Sequence, residues 1–95
     1  MVFKLFIVER YRKVGLGQNC PNDEMIISEG ECEKALKSLD LSVENLGVNK
    51  SDKPAGCYWK SDGGGFFNNI VDPTSTDPNS FGNRGGVCTE MGKNC

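Results

Sequence analysis

Ser28-Glu29-Gly30-Glu31-Cys32-Glu33-Lys34-Ala35-Leu36-Lys37-Ser38-Leu39 is the stretch from which the fold is read. It opens with a capping box, in which the Ser28 hydroxyl can accept from the amide three residues on and the Glu31 carboxylate can reach back to the cap amide. Ile27, just before the cap, is placed to staple against Cys32. Cys32, Ala35, Leu36 and Leu39 then recur at i, i+3, i+4 and i+7, while Glu33, Lys34 and Lys37 fall off that face. Acids in the first turn and lysines later match the helix dipole. The spacing predicts one amphipathic helix with Cys32 on its apolar side, where a strand cysteine can meet it. Glu29, Glu31 and Glu33 are then capping and solvated groups, not an acid/base pair.

Downstream, residues 40–55 are polar with spaced Leu and Val and read as a long connection ending in Ser51-Asp52-Lys53-Pro54-Ala55-Gly56. Cys57-Tyr58-Trp59-Lys60 and Phe66-Phe67-Asn68-Asn69 read as strands flanking a hairpin turn, Ser61-Asp62-Gly63-Gly64-Gly65. Residues 71–86, with Asp72-Pro73 and Asp77-Pro78, form a loop, Val87-Cys88-Thr89 a last short strand and residues 90–95 a tail. Upstream, Met25-Ile26-Ile27 is a short apolar run, Gln18 to Asp23 a cluster of loop formers, and Tyr11 to Leu16 the continuation of an opening strand over residues 2–8. The expected architecture is α+β: a small antiparallel sheet with one packed helix, stabilised by disulfides. An N-terminal strand or extension (1–9) precedes a cysteine-rich module (10–89), and a C-terminal tail (90–95) follows.

Ninety-five residues make one small domain at most. Eleven basic against 13 acidic residues remove the electrostatic footprint of nucleic-acid binding. With no histidine, imidazole bases, Ser/His or Cys/His nucleophiles and His metal ligands are excluded. The apolar run Met1 to Val8 is too short to span a membrane and is interrupted by Lys4. Glu9-Arg10-Tyr11-Arg12-Lys13 stands where a secretory signal would place small residues for cleavage. The chain therefore reads as a processed piece of a longer precursor, in preference to one that simply begins with a strand.

Cys20, Cys32, Cys57, Cys88 and Cys95 form no close pair, so neither a zinc knuckle nor a Cys-x-x-Cys redox motif is present. Large apolar residues are scattered, and such a core alone is marginal. Disulfides in an oxidising compartment are the expected remedy. Closing the loop from Cys32 to Cys57 adds about 3.5 kcal/mol, and from Cys20 to Cys88 about 4.4 kcal/mol, in the loop-entropy model. Four cysteines allow three pairings, among which the sequence alone does not choose. The favoured set is Cys32 with Cys57, tying the helix to the central hairpin, and Cys20 with Cys88, tying the chain's two ends together. Cys95 is left over as a free thiol, an intermolecular bridge or half of a bridge whose partner is missing.

Tyr58, Trp59, Phe66 and Phe67 are the candidate binding surface, an aromatic platform for a sugar or a protein partner, set against the reading in which the helix and loops cover both faces. Adjacent strand residues face opposite ways, so one aromatic of each pair belongs to the core and the other points outward. Asp62, Asp72 and Asp77, with Asn68 and Asn69, offer oxygen ligands for calcium, but their spacing fits no EF-hand and they read as turn residues. Asn49-Lys50-Ser51 is an N-glycosylation triplet. With nine Asn and ten Ser or Thr in the chain, about one such triplet arises by chance, so it decides nothing at this level. Arg10, Arg12 and Lys13 around Tyr11 read as a solvated strand face. No cofactor or metal is expected.

The order of Cys20, the capped Ser28-Glu29-Gly30-Glu31-Cys32-Glu33-Lys34-Ala35 helix, Pro54-Ala55-Gly56-Cys57-Tyr58, Phe66-Phe67-Asn68 and Val87-Cys88 resembles a cysteine-rich module of predicted secreted or surface proteins in dinoflagellates and other marine protists. The resemblance spans roughly residues 10–89 and places four of the five cysteines on module positions. It implies a secreted or lumenal disulfide module and no particular activity. More distantly, the layout is similar to PAN/apple-type modules, in which disulfides tie a helix to an antiparallel sheet; this is analogy at the level of fold. The leading expectation is a non-enzymatic extracytoplasmic module for adhesion or for interaction with a protein or glycan, with neither nucleic acid nor a membrane span involved. The alternative is a structural subunit of a larger assembly, for example in the thylakoid lumen of an alga, docked through residues 2–8. A small redox or hydrolytic enzyme has almost no support in the residues.

Overall fold

A computed structural model of the chain describes residues 10–90. The expected strand over residues 2–8, and Cys95 with the rest of the tail beyond Glu90, lie outside the described residues. One helix packs on a five-stranded sheet: β1 (Tyr11–Lys13), α1 (Glu29–Ser38), β2 (Ser42–Val48), β3 (Gly56–Lys60), β4 (Gly64–Asn68) and β5 (Arg84–Thr89), in the spatial order β1-β5-β3-β4-β2. The fold is α+β and disulfide-stabilised, as the sequence implies.

The helix begins where the capping pattern puts it. The Ser28 hydroxyl accepts from the Glu31 amide at 3.3 Å, supplying a partner for an otherwise open first-turn donor. Ile27 does not act as a staple: it is 65% exposed, while Cys32 is engaged in a bridge beneath the helix. The C-terminus is closed by Asp40 in a left-handed conformation (φ 64°), with its amide on the Lys37 carbonyl and the Leu41 amide on the Leu36 carbonyl. That is a Schellman closure, and Leu41 packs against the same cluster as Leu36.

The sheet departs from the sequence reading in several places. Residues 42–48 are not a connection but the edge strand β2, and β2 pairs parallel to β4, so the sheet is mixed and not purely antiparallel. The topology gives the reason. From β2 the chain crosses to β3 two places along, and the β3–β4 hairpin returns β4 into the gap, running the same way as β2. The pairing is interrupted between Val43 and Asn45 and again between Asn45 and Val48, which breaks the alternation that would mark a strand in sequence. β5 is also longer than expected, taking in Arg84, Gly85 and Gly86.

The register sorts side chains onto two faces. Cys57 pairs with Phe67 and Trp59 with Gly65, putting these on the helix face; Tyr58 pairs with Phe66 and Gly86, putting those on the other. Under the helix, Ile26, Cys32, Ala35, Leu36, Cys57, Phe67 and Val87 form the main core. Gly65 lets the helix come this close: a Cβ there would stand 2.6 Å from both Leu36 methyls. On the opposite face Val14, Cys20 and Cys88 form a smaller cluster, and a Cβ on Gly86 would meet the Cys20 sulfur at 2.9 Å.

The disulfides are Cys32–Cys57 and Cys20–Cys88, the favoured pairing. They lie on opposite faces of the sheet. One fixes the helix to β3, and the other fixes the loop after β1 to β5. All four bridged cysteines are buried. Trapping both coverings covalently suits a sheet whose two sides each carry only a modest apolar cluster.

Candidate functional site

The four aromatics do not form one platform. Tyr58 and Phe67 are buried, Trp59 and Phe66 half-buried, and the two half-buried rings sit on opposite faces. Trp59 is held in place: its indole N–H donates to the Val14 carbonyl at 2.9 Å, and the Lys13 ammonium lies 4.4 Å from its ring centre. A ring capped by its own cation has little face left for a ligand. Phe66 differs. It stacks on Tyr58 with centroids 5.0 Å apart and planes 12° from parallel, and it is half-buried with no cation over its ring among the described residues.

Around Phe66 the backbone brings polar groups together. A Cβ on Gly64 would lie 3.2 Å from a Glu44 carboxylate oxygen, 3.2 Å from the Phe66 ring edge and 3.3 Å from an Asp62 carboxylate oxygen. Glycine here leaves a floor over which an aromatic edge and two exposed carboxylates converge. Asp62 is oriented by accepting from the Gly64 amide at 3.0 Å, and Lys60 reaches its other oxygen at 3.7 Å. Glu44 comes from β2, which the sequence reading passed over as a connection, so this grouping exists only because β2 lies beside β4. An aromatic surface with adjacent carboxylate acceptors can stack on the apolar face of a sugar ring and take hydrogen bonds from its hydroxyls.

The Tyr58 hydroxyl, beneath, has its pKa pushed up to about 12, first because burial disfavours the phenolate; the Asp52 charge adds to this and Arg84 opposes it. It remains a neutral phenol throughout the physiological range.

The other acids named from sequence are occupied locally. Asp72 accepts from the Thr74 amide and hydroxyl, which holds its carboxyl below the usual carboxylate range, and Asp77 accepts from the Asn79 amide. Each caps a short 3-10 turn headed by proline, residues 73–75 and 78–80. Asn69 is exposed and Asn68 fully buried. No group of three or more His, Cys, Asp or Glu that could hold a metal ion occurs among the described residues.

Asn68 is an organising residue that sequence reasoning missed. Its amide nitrogen donates to the carbonyls of Lys50 (2.7 Å), Pro54 (3.0 Å) and Lys53 (3.4 Å), and its oxygen accepts from the amides of Ile70 (3.1 Å) and Lys50 (3.3 Å). One side chain thus gathers the loop between β2 and β3. Arg12 does not belong to a solvated strand face: it pairs with the buried carboxylate of Glu24 and with Glu90 at 3.3 Å. Both partners are remote in sequence, so only the fold reveals them. Comparison of the chain with known protein families, curated protein sequences and solved structures finds no match. No helix among the described residues is long and apolar enough to cross a membrane.

Proposed function

We propose that this is a non-enzymatic extracytoplasmic module that engages a glycan or a glycosylated partner through the surface around Phe66. The two buried disulfides support the extracytoplasmic part, because such bridges form and persist in oxidising compartments. This is also the setting that the resemblance to protist cysteine-rich modules implies. The observation that carries the binding part is the convergence of the Phe66 ring edge with Glu44 and Asp62 over Gly64.

A glycan array probed with the oxidised protein tests it. Binding that is lost in Phe66→Ala, weakened in Glu44→Gln and kept in Trp59→Ala supports this surface. Binding abolished only by Trp59→Ala would move the site to the helix face, and no binding to any glycan would overturn the proposal. The alternative, a subunit docked through residues 2–8, concerns a segment outside the described residues. A clean monomer on size exclusion counts against it.

A further inference from the structure

We propose that Asn49 is an N-glycosylation site. The inference rests on the extracytoplasmic reading above and concerns a different part of the surface. In sequence the triplet Asn49-Lys50-Ser51 has no more weight than chance gives it. The structure adds that the triplet is exposed, that the acceptor side chain is unpaired and that the backbone on both sides of it is anchored.

All three residues of the triplet are exposed, and they lie beyond the end of β2 with none of them in a strand or helix. The acceptor side chain is also free. Asn19, Asn45, Asn68 and Asn83 commit their side-chain amides to hydrogen bonds, whereas that of Asn49, like those of Asn22, Asn69 and Asn79, has no hydrogen-bond partner among the described residues. Its position is nevertheless fixed from both sides. The Val48 carbonyl accepts from the Asn69 amide at 2.7 Å, the Lys50 amide and carbonyl are both held by Asn68, and the Ser51 carbonyl accepts from the Asp77 amide at 2.9 Å. The backbone around Asn49 is thus anchored while its side chain projects unpaired, so a large substituent there displaces no contact of the fold.

The donor class is an oligosaccharide linked to a lipid diphosphate. The Asn49 side-chain nitrogen forms a bond to the first sugar carbon and loses a proton, the bond from that carbon to the diphosphate oxygen breaks, and the lipid diphosphate leaves. The location has a consequence for assembly. β2 is a sheet edge exposed over Ser42–Asn45, and a glycan rooted one residue beyond its end hinders another chain from pairing along it.

The test is secretion of the chain from cultured eukaryotic cells behind a cleavable leader, followed by intact mass before and after peptide-N-glycosidase treatment in oxygen-18 water. A glycan-sized mass loss, with the label on the Asn49 peptide, is expected. The modification should vanish in Asn49→Gln and in Ser51→Ala, and occupancy should be kept or raised in Ser51→Thr. Secreted protein carrying both disulfides with Asn49 unmodified would overturn the site while leaving the compartment reading intact. Free thiols at Cys20, Cys32, Cys57 and Cys88 in the secreted chain would overturn the compartment reading on which the site rests.

Discussion

Replacing Asn68 should open the loop between β2 and β3, and two substitutions separate the reasons. Asn68→Ala removes three good hydrogen bonds, to the Lys50 carbonyl, the Pro54 carbonyl and the Ile70 amide, at 2.7, 3.0 and 3.1 Å. At about 1 kcal/mol net each, that is roughly 3 kcal/mol. Lys50 is exposed and Ile70 half-buried, so water can replace the lost partner there, but Pro54 is buried and its carbonyl is left unpaired. An orphaned buried acceptor costs about 1–3 kcal/mol more. The expected loss is therefore about 4 kcal/mol, a large share of the roughly 5–10 kcal/mol typical of a domain this size.

Asn68→Asp is nearly isosteric and keeps the oxygen that accepts from Lys50 and Ile70, but it turns the donor toward three carbonyls into a second acceptor. At pH 7 it should cost more than alanine. Its carboxyl is held above the usual carboxylate range, because ionisation would place a charge against those carbonyls. Stability should then be regained below the unfolded carboxyl's ordinary pKa and lost as pH rises through the raised folded value. Urea unfolding of the oxidised variants at pH 7 and pH 4, followed by Trp59 fluorescence, reads both effects. Asn68→Ala within about 1 kcal/mol of the parent protein, a small fraction of the summed hydrogen-bond loss, would refute the hub. So would Asn68→Asp more stable than Asn68→Ala at pH 7.

The bridges lead to a second expectation. Cys20→Ala with Cys88→Ala should cost about 4.4 kcal/mol and Cys32→Ala with Cys57→Ala about 3.5 kcal/mol by loop entropy. Since the bridged residues are at most 4% exposed, a reductant alone should act slowly and denaturant should speed both reductions. Unchanged melting of the fully reduced protein would contradict this account of its stability. Tyr58 gives a pH dependence. With its folded pKa near 12 against an unfolded value of 10.0, it is protonated in both states at neutral pH, and stability falls as pH rises from about 10 toward 12. A phenolate absorbance titration should show Tyr58 ionising only with unfolding, and Tyr58→Phe should flatten the alkaline loss; a Tyr58 that titrates at an ordinary pKa in the folded protein would refute the burial argument.

What the sequence determined by itself was local or counted. The Ser28 cap and the Cys32-Ala35-Leu36-Leu39 spacing specify α1, because helix signals repeat within one turn. The adjacent aromatic pairs on either side of a glycine-rich turn specify the β3–β4 hairpin for the same reason. Cysteine number and scarcity of core point to disulfides, and tying the helix to the hairpin and the chain's ends to each other favoured the pairing that forms. Tertiary structure alone decided the rest. β2 is a polar, bulged edge strand whose partner β4 lies 22 residues away at Ser42↔Gly64, so no local pattern records it. With β2 in place, Glu44 comes to the Gly64 backbone beside Phe66 and Asp62, and Asn68 reaches the backbone of residues 50–54. Parity told that the two aromatics of each pair lie on opposite faces, but not that Tyr58 is buried on the face away from the helix while Lys13 lies over the half-buried Trp59. Short-range periodicity is written in the chain; which distant groups share a surface depends on the packing of strands whose contacts are non-local.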